Sequence, residues 1–196
     1  MRKYKLVGLT GRTGSGKSAA REVFKNNGYE IIDADALARE VIGDKILQSD
    51  IAAYFGADLI NNCVIDRKEL SKRAFKDSES VKTLNAVFHP RITRLFIEKL
   101  NALVKSGADK ILFDAPQLFE AKLDIICDIT LALISEDEKR IKRITERDGI
   151  TEEMAKSRLK IQLPDSFFIE NCDYYIENNS TVEKLQSDLE ELVSRI

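Results

Sequence analysis

The chain has 196 residues, 43% of them hydrophobic and 33% charged, and its 33 acidic and 31 basic side chains leave a formal net charge of −2. A domain of this size withdraws roughly 70% of its unfolded surface from water, enough for a proper core. The near balance of charge excludes a strongly basic nucleic-acid-binding face, so nucleic acid is not an expected partner.

The chain opens with a buried-strand pattern at Lys5 to Thr10, followed by three glycines within six residues and then a helical pattern from Lys17 to Asn26 with Ala19, Ala20, Val23 and Phe24 on one face. Asn27-Gly28 stops that helix. A second strand, Tyr29 to Asp33, leads into a helix carrying Leu37, Val41 and Ile42. From about Gly43 to Gly107 strand signals are scarce, and Leu84, Val87 and Phe88, then Ile92, Leu95, Phe96, Leu100, Leu103 and Val104, give helical stripes with Pro90 suited to a first turn.

Strand patterns return at Lys110 to Asp114, Asp128 to Ile134 and Asp173 to Glu177. Ser180 and Glu183 have capping-box spacing before a stripe of Val182, Leu185, Leu189, Leu192, Val193 and Ile196. Strands that alternate with helices and are apolar throughout imply an α/β fold with a parallel sheet covered on both faces.

Cys63, Cys127 and Cys172 lie far apart and form no Cys-x-x-Cys pair, so neither a zinc site nor a disulfide framework is indicated. The opening apolar run is too short for a signal peptide, and no stretch approaches about 18 apolar residues. The expectation is a cytoplasmic protein without a membrane partner, and a monomer.

Gly11, Gly16, Lys17 and Ser18 satisfy G-x-x-x-x-G-K-[ST] in the required context, after a strand and before a helix. Gly11, Gly14 and Gly16 let backbone N–H groups close on anionic oxygens while the helix turns its positive end toward them. Lys17 would reach the β- and γ-phosphates of a nucleotide, Ser18 would ligate Mg²⁺, and Ala19 can add only a backbone N–H.

Asp33 and Asp35, in the "DAD" that ends the second strand, sit where open α/β sheets place their ligands. Asp33 is read as the carboxylate that orients an attacking hydroxyl and takes its proton, whereas Asp35 is equally a helix N-cap. Asp114 either holds the Mg²⁺ shell through water or is a turn residue before Pro116. Arg140, Arg143 and Arg147 fall at i, i+3 and i+7, either a solvated helix face or a mobile lid that closes over a triphosphate. His89, by itself, reads as a helix-entry residue.

Together, "GLTGRTGSGKS", "IIDADALAREV", "LNAVFHPRI", "FDAPQLFEAKLD", "RIKRITERDGITEEMAKSRLKIQL" and "DYYIENN" resemble the dephospho-coenzyme A kinase family, in order and over nearly the whole chain. The resemblance implies a P-loop kinase fold with five parallel strands ordered 2-3-1-4-5. It also implies a core of about residues 1–42 and 108–196, a helical acceptor-binding part at about 43–107 and a lid at about 136–163.

The reaction it implies is transfer of the γ-phosphate of ATP to the ribose 3′-hydroxyl of dephospho-CoA, with Mg²⁺ as cofactor. Asp33 falls on the catalytic base, assisted by Lys17. Nucleotide contacts fall on Gly11, Thr13, Gly14, Ser15, Gly16, Lys17, Ser18, Ala19, Arg140 and Arg147, with Asn178 near the adenine. Acceptor contacts fall on Asp35, His89, Asp114 and Glu120. The chain departs from the family's usual residues at Arg12 and Thr13 in the loop and at Gln117 beside the acceptor pocket. A different small-molecule P-loop kinase would ignore dephospho-CoA, and a non-catalytic ATP switch would bind without turnover.

Overall fold

The computed structural model describes residues 3–196. They fall into two compact units, one taking in the chain up to Ile32 together with Leu103–Ile196, the other Asp33–Ala102.

The first unit is built on strands β1 (Lys5–Thr10), β2 (Glu30–Asp33, its last residue counted with the second unit), β5 (Lys110–Asp114), β6 (Ile129–Ile134) and β7 (Tyr174–Glu177), in the spatial order β2-β5-β1-β6-β7. Counted among themselves, these five strands are ordered 2-3-1-4-5, as the resemblance implies. β1 runs parallel to β5 and β6, and β6 runs parallel to β7. Leu6, Val7, Leu9, Ile111, Leu112, Phe113, Leu131, Ala132, Leu133 and Ile134 are buried because helices cover the sheet on both faces.

Helix α1 (Lys17–Asn26) buries Ala20, Val23 and Phe24, spaced so that all three face inward. Helix α9 (Val182–Arg195) buries Leu185, Leu189, Leu192 and Val193 in the same cluster. Each fully buried Leu or Phe contributes about 1.5–3 kcal/mol relative to exposure. The α9 cap lies one residue later than the Ser180–Glu183 pattern suggests: Thr181 is the N-cap, its Oγ1 accepting from the Lys184 N–H at 3.3 Å, and Val182 is left exposed.

After β6 come α6 (Asp137–Asp148), α7 (Glu152–Lys160) and α8 (Asp165–Asn171). Ile144 of α6 packs on Ala155 and Leu159 of α7, so these two helices share a small core of their own.

The second unit contains α2 (Ala34–Val41), α3 (Lys45–Phe55), the two-residue strands β3 (Ile60–Asn61) and β4 (Val64–Ile65), α4 (Arg67–Ala74) and most of α5 (Ser78–Lys105). Leu47, Ile51, Phe55 and Leu70 form its centre. β3 and β4 pair antiparallel across Asn62 and Cys63, both at positive φ, the geometry of a type I′ hairpin turn; strands this short leave no alternation to read. Pro90 is not in a first turn. It lies inside the single 28-residue helix α5, where the Arg91 guanidinium donates to the Val87 carbonyl at 3.0 Å in the turn the proline disturbs. His89 accordingly lies mid-helix rather than at a helix entry.

Candidate active site

The loop between β1 and α1 is shaped by glycines at two positions where no other residue fits. Gly11 has φ 129°, and a Cβ there would lie 2.4 Å from the Leu133 carbonyl oxygen of β6; Gly16 has φ 105°, and a Cβ would lie 2.2 Å from Asn178 Nδ2. The loop thus passes against its supports at backbone distance. The Ser15 N–H donates to the Arg12 carbonyl at 3.1 Å, and the Ala19 N–H donates to the Gly16 carbonyl at 3.0 Å to close the first helical turn.

Lys17 Nζ donates to the Gly11 and Arg12 carbonyls at 2.6 and 3.4 Å, so its ammonium is drawn over the loop. Ser18 is exposed in the first turn of α1, and Ser15 is fully buried. Arg12 Nε and Ser15 Oγ are buried polar atoms without a hydrogen-bond partner among the described residues, and both belong to this loop. Such atoms are rare in folded chains.

Residues remote in sequence hold the loop in place. The Asn178 Nδ2 group donates to the Ser15 carbonyl at 2.8 Å, and Asn178 itself is buried. Arg143 donates to the Gly14 carbonyl at 3.1 Å, to Ser135 Oγ at 3.1 Å and to the Asn178 carbonyl at 3.0 Å. The Thr13 N–H donates to Gln162 Oε1 at 3.1 Å, while Gln162 Nε2 donates back to Thr13 Oγ1 at 3.2 Å.

The arginine stripe of α6 divides three ways. Arg140 is 1% exposed and makes a two-pronged contact with Asp165, at 2.8 and 2.6 Å, as well as bonding Asp137. Burial works to lower its pKa, but the hydrogen bonds and charges of Asp165 and Asp137 outweigh it and hold the guanidinium charged. Arg147 is exposed and paired with Asp148. Arg143 is the member of the stripe whose side chain hydrogen-bonds the loop, while Arg140 lies against Gly14 only through its backbone. The i, i+3, i+7 spacing treats all three alike; which one meets the loop depends on packing by segments far along the chain.

Asp114 ends β5 opposite Leu9 in the parallel register, which sets it beside the strand that feeds the loop. It is buried, with Arg21 Nη1 3.6 Å from its Oδ2. Glu120 is open to solvent, yet the protein around it desolvates the carboxyl enough to raise its pKa above the ordinary glutamate range.

Asp33, Asp35 and His89 belong to the second unit. Asp33, rather than Asp35, is the N-cap of α2: its Oδ1 accepts from the Asp35 N–H at 2.8 Å and the Ala36 N–H at 3.2 Å. Asp35 is exposed in the first turn. Sequence reasoning missed Arg21, Ser135 and Gln162 as members of the loop's surroundings, and no local signal marks them; Arg143 entered only as one of the three arginines of the stripe, without a contact of its own.

No ligand set of three or more His, Cys, Asp and Glu side chains occurs among the described residues, and no helix among them is long and apolar enough to cross a membrane. A parallel sheet with a glycine loop, lysine and hydroxyl at the carboxyl end of its central strand defines the class of P-loop nucleotide-binding proteins.

Within that class, a family model for dephospho-CoA kinase matches residues 5–184. A dephospho-CoA kinase of Fusobacterium nucleatum is 36% identical over 97% of this chain and 98% of its own length, and one of Geobacillus kaustophilus is 35% identical over 93% and 92%. A solved structure from Thermus thermophilus superposes with a TM-score of 0.83 at 28% identity over 100% of this chain and 99% of that one. A shikimate kinase of Acinetobacter baumannii, at 17% identity and TM-score 0.54 over 98% and 94%, shares the fold. This chain belongs to the dephospho-CoA kinase family.

Proposed function

We propose that the protein transfers the γ-phosphoryl group of ATP to the ribose 3′-hydroxyl of dephospho-CoA, giving coenzyme A and ADP. The observation that carries this is the constrained glycine loop with Lys17 and Ser18, in a chain whose membership of the family extends over residues 5–184.

The loop cradles the phosphates through its backbone N–H groups and the amino-terminal end of α1. Lys17 moves from the loop carbonyls to the β- and γ-phosphate oxygens, where its charge is worth most as negative charge shifts toward the leaving oxygen. Asp33 orients the acceptor hydroxyl and takes its proton; the new bond joins O3′ to phosphorus while the bond from phosphorus to the ADP oxygen breaks. The capping bonds on Asp33 Oδ1 fix the carboxylate in one orientation. Asp35 and His89, with Asp114 and Glu120, are assigned to the acceptor.

The donor set fits Mg²⁺: one hydroxyl, Ser18, and one carboxylate, Asp114, match an ion that keeps most of its shell as water and phosphate oxygens. When bound, it would neutralise phosphate charge. The reading further takes the protein as a monomer in the cytoplasm.

Incubation of the purified protein with Mg²⁺-ATP and dephospho-CoA, followed by mass spectrometry, tests the reading. One phosphoryl group gained by the acceptor, and none with Lys17→Ala, is the expected result. ATP binding with unmodified dephospho-CoA would overturn the acceptor assignment.

A further inference from the structure

Arg12 lies in the phosphate loop, yet its guanidinium is spent on the helices that follow β6. Nη1 donates to Asp137 Oδ1 at 3.0 Å, in the first turn of α6, and Nη2 donates to the Leu159 carbonyl at 2.7 Å, in the last turn of α7. The side chain is only 12% exposed although Asp137 is 57% exposed, so Arg12 is covered by what it binds rather than lying on the surface. The Leu159 carbonyl also accepts from the Gln162 N–H at 3.2 Å, so the guanidinium adds a second, charged donor at the carboxyl end of α7.

Two neighbouring contacts make the same connection. Asp137 Oδ1 also accepts from Arg140, which is locked to Asp165 at the start of α8. Next to Arg12, Thr13 exchanges two hydrogen bonds with Gln162, just past α7. Loop, α6, α7 and α8 are therefore joined through one run of alternating charges and one amide pair. Within this arrangement Arg12 alone reaches both α6 and α7 from the loop.

The geometry points to Arg12 as a positioning residue that holds the α6–α7 helical pair against the phosphate loop, so that the ordering of this pair precedes nucleotide binding. The inference rests on the loop being the ATP phosphate site. Without Arg12 the pair closes only part of the time, and the apparent Kd for ATP rises in inverse proportion to the fraction closed. The chemical step, once ATP is bound and the pair is closed, is unaffected.

The test uses the full chain with Arg12→Gln and Arg12→Lys, read by amide hydrogen exchange over residues 152–163, by ATP affinity from calorimetry, and by steady-state kinetics. For Arg12→Gln, exchange in 152–163 should quicken about five- to tenfold while β1 and β6 are unchanged. ATP Kd and KM should rise about tenfold with kcat within about threefold. Arg12→Lys, which keeps the charge but cannot span both partners, should fall between. Unchanged exchange, or a fall in kcat at constant ATP affinity, would overturn the proposal. A wild-type protein that binds ATP but leaves dephospho-CoA unmodified would defeat the acceptor assignment alone, because exchange and affinity still judge Arg12.

Discussion

The Asn178 side-chain amide donates to the Ser15 carbonyl at 2.8 Å, fastening the residue that follows β7 to the middle of the phosphate loop across 163 positions of sequence. Both residues are buried, so the bond cannot be replaced by water without rearrangement. Asn178→Ala should lower the unfolding free energy by about 1–3 kcal/mol, the cost of leaving a buried acceptor unmet. Asn178→Asp should lower it further by setting a carboxylate against a carbonyl. Denaturant titration measures both, and the ATP KM should rise in step if the bond shapes the loop.

Asp33 carries two duties that substitution can separate. Asparagine caps a helix as well as aspartate does, whereas alanine costs about 1 kcal/mol at such a position. Asp33→Asn should therefore keep the melting temperature and ATP affinity while kcat falls by about two to four orders of magnitude. Asp33→Ala should lose both activity and stability. Equal kcat for Asp33→Asn and wild type would remove Asp33 from proton transfer.

Arg140 and Arg143 should give opposite phenotypes although they are three residues apart on one helix. Arg140→Ala leaves Asp165 and Asp137 without their shared cation, at a cost of about 2–3 kcal/mol, below the range for fully buried pairs because both carboxylates keep some solvent. Its kcat/KM for ATP, measured well below the melting temperature, should stay within about threefold of wild type. Arg143→Ala should instead lower kcat/KM for ATP about ten- to a hundredfold by releasing the Gly14 carbonyl and shifting the loop.

Glu120 gives a pH dependence of definite sign. Desolvation raises its folded pKa above the unfolded value, so the folded state binds the proton more tightly. Its contribution to stability is fully present below the unfolded pKa of about 4.3 and is lost as pH rises through the folded value. At pH 7 the carboxylate's charge is harder to hold in the folded protein than in the unfolded chain, because folding desolvates it. Glu120→Gln should therefore melt at a higher temperature than wild type at pH 7, with the difference vanishing near pH 4. A difference that grows toward acid pH would contradict the assignment.

The features that local spacing encodes were open to inspection in the sequence: the strand before Gly11 and the helix after it, the five strands, and the buried stripe of α9. Each depends on the side-chain period of a single segment, and the glycine loop depends on which residues tolerate its backbone. The capping role of Asp33 could not be told from that of Asp35, because both stand before the same helix within one turn. Pro90 shows local preference being overruled: Val87 before it and Phe96 and Leu100 after it are buried, and their packing carries α5 through a residue that costs about 3 kcal/mol in a helix interior. Likewise, Arg140, Arg143 and Arg147 are equivalent as a pattern. Only the folded chain brings Asp165 to the first and Gly14 and Asn178 to the second, while the third pairs with the adjacent Asp148; the partners that set the roles of the first two lie tens of residues or more away and are chosen by packing, not by spacing.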